Sequence, residues 1–376
     1  MGVKGRDGFE VDWTEANKIL RLPDEPLGAL ADAEREMRGN AIWMSQAEEY
    51  RIALSESTEP FEVMSGMIGW TETLAPRRSH ASLFTALVLI SLLPDAIRFY
   101  RKRDISDAIL LDTFGDVDVW MRHYQRQHGV WGLSVPEWLL YHFTCKLFKI
   151  GRLQFMHTEW ERQVKVFRNR ASDELTVFPE AGVRFRADGL VDGMNCIYDS
   201  ADGWVSELRQ GGSIISGHAT GPDGAADGEL TELDAAQWEL VLEAGSPVLD
   251  VHIQEGGRLD PEAIAASMAE ARAFYAEKFP ELPVRAFVCT SWLLSPGLAH
   301  LLPADSNIVT FGRMFRLVPN RDDEAQLYER VFGDKQPDLA NAPRGTSLQQ
   351  AVHDFVAGGG MVFGGSGFRL LTNESS

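Results

Sequence analysis

The sequence predicts an α+β protein, in which a helical N-terminal domain over residues 1–149 precedes a mixed-sheet α/β domain over residues 150–376. Up to about Leu147 the apolar residues recur at spacings of three and four, which is typical of helices. Beyond Lys149, short runs alternate apolar and charged residues and end at glycine-containing turns, which is typical of strands. The length of 376 residues also favours two domains, because most domains hold roughly 100 to 200 residues.

The N-terminal part contains one strongly apolar run. Leu83, Leu87, Ile90 and Leu93 share one helical face. The run covers eleven residues and ends before Pro94, well short of the ~20 apolar residues that cross a bilayer. We therefore predict a buried core helix. The sequence gives no reason to expect a membrane partner.

Turn signals mark the start of the C-terminal part. Residues 182–191 alternate apolar and charged side chains around Asp188-Gly189, which predicts a hairpin. Residues 213–224 predict a second strand and a turn at Pro222-Asp-Gly. The run from Thr231 to Ala244 predicts a helix, with Asp234 as its N-cap and Gly245 after its end.

The segment from Pro247 to Val318 has the richest succession of elements. We predict a strand at 247–253, a glycine loop at 254–258 and an amphipathic helix from Asp260 onward. A central strand at 284–289, a short helix at 298–302, and one bent strand or two at 307–318 follow. A glycine turn that leads into a helix N-terminus presents unpaired N–H groups and the positive end of the helix dipole, so this order predicts an anion site.

Charge and cysteine content narrow the class of protein. The net charge of −19 argues against nucleic-acid binding, which needs a basic face. Cys145, Cys196 and Cys289 form no CxxC motif, so we expect reduced thiols in a cytoplasmic protein. His123 and His128 lie five residues apart on different helix faces, and no metal site is predicted.

Two other motifs have simpler interpretations than catalysis. Residues 359–366 match a phosphate-binding loop except that Gly365 replaces the lysine, so we predict a flexible or turning glycine segment. Cys289 and Ser291 suggest a covalent mechanism. We favour the alternative, in which the thiol packs in the core and the serine caps the residues from Leu293 onward.

The succession of elements resembles the acyl-CoA-binding core of the GNAT acyltransferase superfamily. More closely, the chain resembles a bacterial family of acyltransferases with a helical N-terminal domain and a GNAT-like C-terminal domain. The likeness covers most of residues 150–365. It is carried by Gly151-Arg-Leu-Gln-Phe155, His252-Ile253, Ser267, Ala271-Arg272, Phe279-Pro280, Cys289-Thr-Ser-Trp-Leu-Leu294, Asn307-Ile-Val309, Phe311, Phe315-Arg316 and Gly345-Thr-Ser-Leu348.

The resemblance implies an acyltransferase that moves an acyl group from acyl-CoA to an amine by direct attack in a ternary complex. It implies an oxyanion donor near Val251 to Ile253, where two central strands separate, with His252 and Glu255 as candidate bases. For His252, a structural role in which it bonds to a neighbouring carbonyl is the alternative. The implied acyl-CoA contacts are Ile253, Gln254, Gly256, Gly257, Arg258, Asn307 and Arg313. The implied partners are acyl-CoA and an amine-bearing acceptor, and a homodimer is left open.

Two positions depart from the superfamily pattern. Its phosphate loop reads Gln/Arg-x-x-Gly-x-Gly/Ala, and Leu259 stands where the last small residue belongs. A tyrosine commonly serves as the acid for the leaving thiolate, and none occurs between Leu298 and Val318. These departures support an alternative hypothesis, a non-catalytic binding or interaction module on the same scaffold. A hydrolase is a third and more distant hypothesis.

Overall fold

A computed structural model describes residues 9, 11–74, 80–254 and 256–371. The described chain divides into two compact units. The first unit contains the residues up to Met156, together with Ile253 and Gln254. The second unit contains residues 157–252 and the residues from Gly256 onward. The first unit thus extends seven residues beyond the predicted boundary at Lys149 and receives a short segment from far along the chain.

The first unit is helical, as predicted. Its described helices are α1 (Trp13–Leu20), α2 (Asp24–Arg38), α3 (Ala41–Glu56), α4 (Pro60–Leu74), α5 (Phe84–Ile90), α6 (Leu93–Lys102), α7 (Asp107–Phe114), α8 (Asp116–His128) and α9 (Pro136–Phe143). Side-chain caps begin several of them. Asp12 Oδ1, for example, accepts a hydrogen bond of 3.1 Å from the backbone N–H of Glu15, which satisfies one of the unpaired donors of the first turn.

Helix α5 forms the centre of the first unit. All seven of its residues are buried, as predicted for the apolar run. Phe84 packs edge-on against Trp43 and at 4.7 Å between ring centroids against Trp70. Residues 81–102 have the length and apolar composition of a membrane-crossing helix, with a mean hydropathy of 1.6 over the best window, but 67% of that window is buried in the protein. Burial on all sides is what a core helix requires.

A hairpin completes the first unit. Strand β1 (Leu147–Ile150) pairs antiparallel with β2 (Leu153–Glu159), from Leu147↔Met156 to Ile150↔Leu153. Gly151 sits at the turn with φ of 62°, a left-handed conformation that glycine adopts without strain.

The second unit is mixed α/β. After β2 its strands are β3 (Val164–Asn169), β4 (Leu175–Pro179), β5 (Arg184–Phe185), β6 (Trp204–Val205), β7 (Leu208–Gly211), β8 (Ile214–Thr220), β9 (Ala226–Asp234), β10 (Trp238–Leu242), β11 (Pro247–His252), β12 (Ala286–Ser291), β13 (Arg316–Val318) and β14 (Gly365–Leu370). The helices are α10 (Pro261–Lys278), α11 (Pro296–Leu301), α12 (Asn307–Gly312), α13 (Ala325–Phe332) and α14 (Ser347–Ala357).

Small antiparallel sheets lie beside one central sheet in this unit. Three strands pair in the order β10-β3-β4, three in the order β7-β8-β9, and β5 pairs with β6. The central sheet contains consecutive strands in the order β11-β12-β14-β13. One buried cluster joins the central sheet to β3, β4 and β10. Its members are Trp160, Val164, Val166, Val177, Leu242, Val248, Ala286, Val288, Val318 and Phe368.

Helix α10 connects the two parallel strands of the central sheet. Strands β11 and β12 pair in parallel from Val248↔Ala286 to Asp250↔Val288, and β12 pairs antiparallel with β14 as far as Ser291↔Gly365. Asp260 caps α10 by accepting a 2.9 Å hydrogen bond from Ala263 N–H, and Pro261 occupies the first turn. The predicted strand, glycine loop, helix and strand are therefore confirmed in this segment.

Two predictions for the second unit are wrong, and a third holds only in part. Residues 231–244 form the end of β9, a turn at Asp234 and strand β10 rather than a helix. Leu233 pairs with Ile215 and Trp238 pairs with Asn169. The side chain of Asp234 bonds to the N–H of Ala236 in the turn instead of capping a helix. Strand partners far along the chain thus override good local helix propensity.

The second error concerns residues 307–312, which form α12 rather than a strand. Ser306 accepts a hydrogen bond from Val309 N–H and begins the helix, although Ile308, Val309 and Thr310 are β-branched. Only Arg316–Val318 is a strand in the region.

The prediction of a turning glycine segment holds for Gly359, which lies in a turn with φ of 87°, and for the irregular chain up to Gly364, whereas Gly365 and Ser366 begin strand β14 in the central sheet. A Cβ on Gly365 would collide with the carbonyl oxygen of Leu294, so the glycine permits a close backbone approach.

Candidate functional site

The candidate site lies where strands β11 and β12 separate. Their pairing ends at Asp250↔Val288 in the described chain, while β11 continues to His252 and β12 continues to Ser291 beside β14. Val251 and His252 therefore lie beyond the last parallel pair between these two strands. A strand N–H at such a position can donate to a ligand carbonyl, and the oxyanion donor near Val251 to Ile253 stays a prediction.

His252 stands at the edge of this gap and forms a pair with Asp250. The Nε2 atom of His252 lies 3.1 Å from Oδ2 of Asp250, and the two side chains are 29% and 26% exposed. Residues two apart on a strand point to the same face, which explains how they meet. The two side chains are thus within ion-pair distance, which places a carboxylate beside a candidate general base.

The glycine loop follows directly and leads into α10. Gly256 and Gly257 have φ of 88° and 73°, values that L-residues with a side chain rarely adopt. Both glycines and Arg258 are exposed, and Leu259 is half-buried. The 18 residues of α10 give the N-terminus beyond the loop a full helix dipole. Glu255, the second predicted base, lies outside the described residues.

Gln254 belongs to the first unit and is held there by its side chain. Its Nε2 donates a 2.6 Å hydrogen bond to Oδ1 of Asp116, and its Oε1 accepts one from Lys149 Nζ. Arg152 donates to the backbone carbonyl of Gln254 at 3.2 Å. Both ends of the side-chain amide thus bond to protein groups. The predicted contact between Gln254 and a cofactor therefore stays a prediction, and it concerns the backbone of Gln254.

The buried carboxylate of Asp116 accepts three more hydrogen bonds on Oδ2. We call Asp116, Trp138, His142, Gln154 and Gln254 the Asp116 cluster. The donors are Trp138 Nε1 at 3.0 Å, His142 Nε2 at 3.0 Å and Gln154 Nε2 at 2.9 Å. His142 Nδ1 also lies 3.2 Å from the carbonyl oxygen of Trp138. Because a carboxylate only accepts, Nε2 of His142 donates to Asp116, and the two buried side chains lie within ion-pair distance.

The electrostatics of Asp116 follow from these contacts. Burial alone would raise the pKa of its carboxyl group, but the hydrogen bond and charge of His142, with the bonds from Gln254 and Gln154, lower that pKa well below its ordinary value. The carboxylate therefore stays ionised at neutral pH and keeps accepting from Gln254.

The covalent alternative at Cys289 is disfavoured by its surroundings. Burial, assisted by the charge of Asp250, raises the pKa of the Cys289 thiol well above its ordinary value. A thiol of this kind is not a thiolate nucleophile at neutral pH. The Ser291 hydroxyl accepts a 3.2 Å hydrogen bond from Leu293 N–H, which confirms the capping interpretation.

A polar group at the end of β12 was not predicted from the sequence. Arg162 donates from Nε to Ser366 Oγ at 3.0 Å and from a terminal nitrogen to Thr290 Oγ1 at 2.8 Å. The two hydroxyls lie 3.0 Å apart. Thr290 pairs with Ser366 across β12 and β14, so the guanidinium lies over the end of β12. Nothing local in the sequence links residues 128 and 204 positions apart.

Asp250 is the other functional candidate missed by the sequence reasoning. Its signal was present, because an acidic residue interrupts the apolar run Pro247-Val-Leu-Asp-Val251 two positions before His252. A carboxylate within a central strand needs a partner, and the nearest polar side chain on the same face is the histidine.

The last two predicted cofactor residues lie on and after α12. Asn307 is the exposed first residue of α12. Arg313 follows the last residue of the helix, is exposed, and donates to the carbonyl of Ala304 at 2.9 Å. No contact with the glycine loop is recorded for either residue in the described chain, and their role toward acyl-CoA stays a prediction. The described residues contain no group of three or more side chains suited to a metal ion.

Comparison with known proteins gives matches along both parts of the chain. Residues 12–145 match the N-acyltransferase N-terminal domain, and residues 147–369 match the GNAT-like C-terminal domain. No curated protein matches the chain.

Solved structures share the fold at low sequence identity. An acyltransferase in complex with decanoyl-CoA and teicoplanin is 20% identical with a TM-score of 0.59, over 96% of this chain and 88% of that chain. A mutant acyltransferase in complex with octanoyl-CoA is 20% identical with a TM-score of 0.61, over the same shares. An acyltransferase in complex with decanoyl-CoA is 20% identical with a TM-score of 0.52, over 96% of this chain and all of that chain.

The domain matches account for most of the described elements, including the separating strands, the glycine loop and the Asp116 cluster. The chain belongs to the family that joins an N-acyltransferase N-terminal domain to a GNAT-like C-terminal domain.

Proposed function

We propose that this protein transfers an acyl group from acyl-CoA to an amine of a small-molecule or peptide acceptor, by direct attack in a ternary complex. The observation that carries the proposal is the separation of β11 and β12 beside the Asp250–His252 pair. A glycine loop and the capped N-terminus of α10 follow within ten residues. Acyl transfer needs an oxyanion donor, a base and an anion site close together.

Acyl-CoA is the proposed donor. The structures that share the fold hold decanoyl-CoA or octanoyl-CoA, and the GNAT-like domain covers residues 147–369. Gly256 and Gly257 leave their backbone N–H groups unshielded by side chains ahead of α10, which suits a pyrophosphate. We assign further contacts to Ile253, to the backbone of Gln254, and to Arg258, Asn307 and Arg313.

The chemistry follows from the geometry of the pair. The thioester carbonyl oxygen accepts a hydrogen bond from the strand N–H near Val251 to Ile253, and the acceptor amine attacks the carbonyl carbon. A C–N bond forms while the imidazole of His252 takes the proton that the amine loses. Asp250 stabilises the imidazolium. The C–S bond then breaks, and the thiolate of CoA leaves with that proton or with one from water.

The acceptor is proposed only as a class. One of the structures that share the fold also contains the glycopeptide teicoplanin, so amines on glycopeptides belong in the acceptor screen beside amino sugars and peptides. The direct mechanism predicts that both substrates are bound before any product leaves.

A non-catalytic module is the second candidate function. Leu259 is half-buried at the position where the superfamily has its last small residue. A branched side chain there narrows the space beside the loop. A protein of this kind would bind a CoA derivative or a protein partner without turnover.

Calorimetry and a thiol-release assay test these two proposals. Acetyl-, octanoyl- and decanoyl-CoA are titrated into the full chain, and each is then incubated with a panel of amines. We expect saturable binding and release of free CoA that depends on the amine. Absence of heat and of any thermal shift at millimolar acyl-CoA contradicts both forms of the acyl-CoA proposal. Binding without turnover of any amine favours the non-catalytic module.

A further inference from the structure

A cavity of about 660 Å³ lies in the second unit, and neither the Asp250–His252 pair nor the two loop glycines line it. Its walls come from the segment after β12, from α11 and α12, and from β13. Most lining side chains are apolar, among them Leu293, Leu298, Ile308, Met314 and Phe315. Cavities of several hundred Å³ with apolar walls and a few polar groups are the usual form of small-molecule sites.

Arg316 supplies the main polar group of this cavity. It lies on β13, is half-buried, and donates one hydrogen bond of 3.2 Å to the carbonyl of Thr220. Its Nε is buried and has no hydrogen-bond partner among the described residues. No carboxylate in the described chain lies within ion-pair distance of its guanidinium. Burial lowers the pKa of Arg316, and only the more distant charge of Glu174 acts in the other direction.

A guanidinium in this situation is costly without an anion. Removing a cation from water loses hydration energy that an ion pair ordinarily restores. The chain has a net charge of −19, so carboxylates were abundantly available as partners, yet none of the described ones is placed there. The arrangement leaves the anionic position beside Arg316 to a ligand.

The other charged and polar groups around the cavity also favour a ligand with a negative charge. Arg313, which is also a proposed acyl-CoA contact, lines it and donates a hydrogen bond to the carbonyl of Ala304. Asp223 is the acidic lining residue, and its carboxylate accepts from Ala225 N–H. His300 is at the exposed wall, and the buried Oγ of Ser295 has no partner among the described residues. The lining therefore contains two arginines and one aspartate.

We propose that this cavity binds a small organic carboxylate with an apolar body, whose carboxylate pairs with Arg316 and whose body lies against the apolar wall. This binding can be measured without turnover at the Asp250–His252 pair. The same chemistry could come from a free fatty carboxylate or from a carboxylate on the acyl acceptor. The shape and charge of the cavity require only the shared features, an anionic head and an apolar chain.

Decanoate binding to the full chain tests the proposal, with decanol and decylamine as probes of equal chain length. Calorimetry or intrinsic tryptophan fluorescence follows each titration. We expect saturable binding of decanoate that is at least roughly tenfold tighter than that of decanol or decylamine, because an Arg–carboxylate pair is the main polar contact. Equal affinity for all three compounds, or no saturation by decanoate below its micelle concentration, overturns the proposal.

Two variants locate the site and one controls for charge. Arg316→Gln should weaken decanoate binding by roughly tenfold or more. Ala299→Trp fills the cavity from an exposed position on α11, leaves the charge unchanged, and should also weaken binding. Arg209→Gln removes a charge from an exposed pair with Glu207 on β7 and should have no effect. Wild-type affinity in both cavity variants, with their folds verified by circular dichroism, contradicts the assignment.

Kinetics separate the two sources of the carboxylate. With turnover followed by thiol release, inhibition by decanoate that is competitive with the acceptor identifies the cavity as the place of an acceptor carboxylate. Binding of decanoate that leaves the acceptor KM unchanged identifies a site for a free fatty carboxylate. Both results support a carboxylate site, and the calorimetric titrations decide it even if no turnover is found.

Discussion

The pairing of His252 with Asp250 gives the candidate base its orientation, and this sets the expected size of its effect. His252→Ala should lower kcat by roughly a hundredfold or more, because a positioned general base contributes about 10²–10⁴-fold. The KM for acyl-CoA should change little, since the side chain faces the acceptor proton rather than the phosphates. Steady-state kinetics with thiol release measure both constants.

Asp250→Asn is the companion change, and it should give an intermediate loss of kcat, because an amide stabilises the imidazolium less than a carboxylate does. Unchanged turnover in His252→Ala would return this residue to the structural role considered from the sequence.

The ionisation state of Asp116 affects the stability of the first unit. Its pKa in the folded protein is lower than the value of about 3.9 in an unfolded chain. The ionised carboxylate therefore stabilises the folded state fully above that unfolded value, and the contribution disappears as the pH falls through about 4 toward the folded pKa. We expect the free energy of unfolding to decrease steeply below about pH 4.

Asp116→Asn should lower the free energy of unfolding at pH 7 by about 1–3 kcal/mol, because an amide has one acceptor oxygen and leaves buried donors of the Asp116 cluster without an acceptor. The variant should also lose part of the acid dependence seen in the parent. Asp32→Asn, in an exposed pair with Arg35, is the matched control and should cost about 0–1 kcal/mol. Chemical denaturation from pH 2 to 8 measures both, and parallel curves for Asp116→Asn and the parent would contradict this account.

Among the elements, α10 combines stability with the proposed anion site. Asp260→Ala removes the N-cap hydrogen bond to Ala263 and should lower the free energy of unfolding by about 1 kcal/mol. The same change loosens the helix N-terminus behind the glycine loop, so the affinity for acyl-CoA should also decrease. Asp12→Ala removes a similar cap from α1 and should cost comparable stability without a change in acyl-CoA affinity. Equal affinity losses in the two variants would argue against a role of the α10 N-terminus.

Strand β14 depends on glycine at a close backbone contact. Gly365→Ala should destabilise the second unit strongly, because the added Cβ collides with the carbonyl oxygen of Leu294 and backbone must move. Gly228→Ala in β9 meets no atom within 4 Å and should be neutral or stabilising by up to about 1 kcal/mol. Thermal denaturation compares the two, and a small effect of Gly365→Ala would show that β14 can shift to make room.

The elements also show how far the sequence can lead. Helix α10 was predictable because its cap Asp260, its Pro261 and its apolar stripe all indicate the same start and face. Residues 231–244 were not, since their helix formers are overridden by pairing with β8 and β3. Helix α12 was missed for the opposite reason, because a single serine cap outweighed three β-branched residues. Local signals decide an element only where no distant partner competes with them.

The same limit applies to the candidate site. His252 and the glycine loop could be predicted because the strand, the turn and the helix that carry them are contiguous. The Asp116 cluster joins residues 138 positions apart, and Arg162 reaches Ser366 across 204. Contacts of that separation arise from tertiary packing, for which one sequence carries no local signal. Asp250 was the exception, because an acidic residue within a central strand is a signal visible in the sequence.

At the scale of the whole molecule, charge should govern how an anionic substrate approaches. The chain has a net charge of −19, and residues 151–376 hold 33 acidic and 19 basic side chains. The long-range field therefore repels acyl-CoA, while the α10 N-terminus attracts it only at short range. Raising the ionic strength from about 0.02 to 0.3 M shortens the reach of the repulsion and leaves the short contacts largely intact.

We expect kcat/KM for acyl-CoA to rise over this range, while the KM of an uncharged acceptor stays constant. Potassium chloride titrations in the thiol-release assay, repeated with potassium glutamate to exclude specific chloride binding, measure the effect. A steep fall in kcat/KM with salt would mean that a basic surface steers the substrate instead, and that the anion site is governed by side-chain cations rather than by the backbone of the loop.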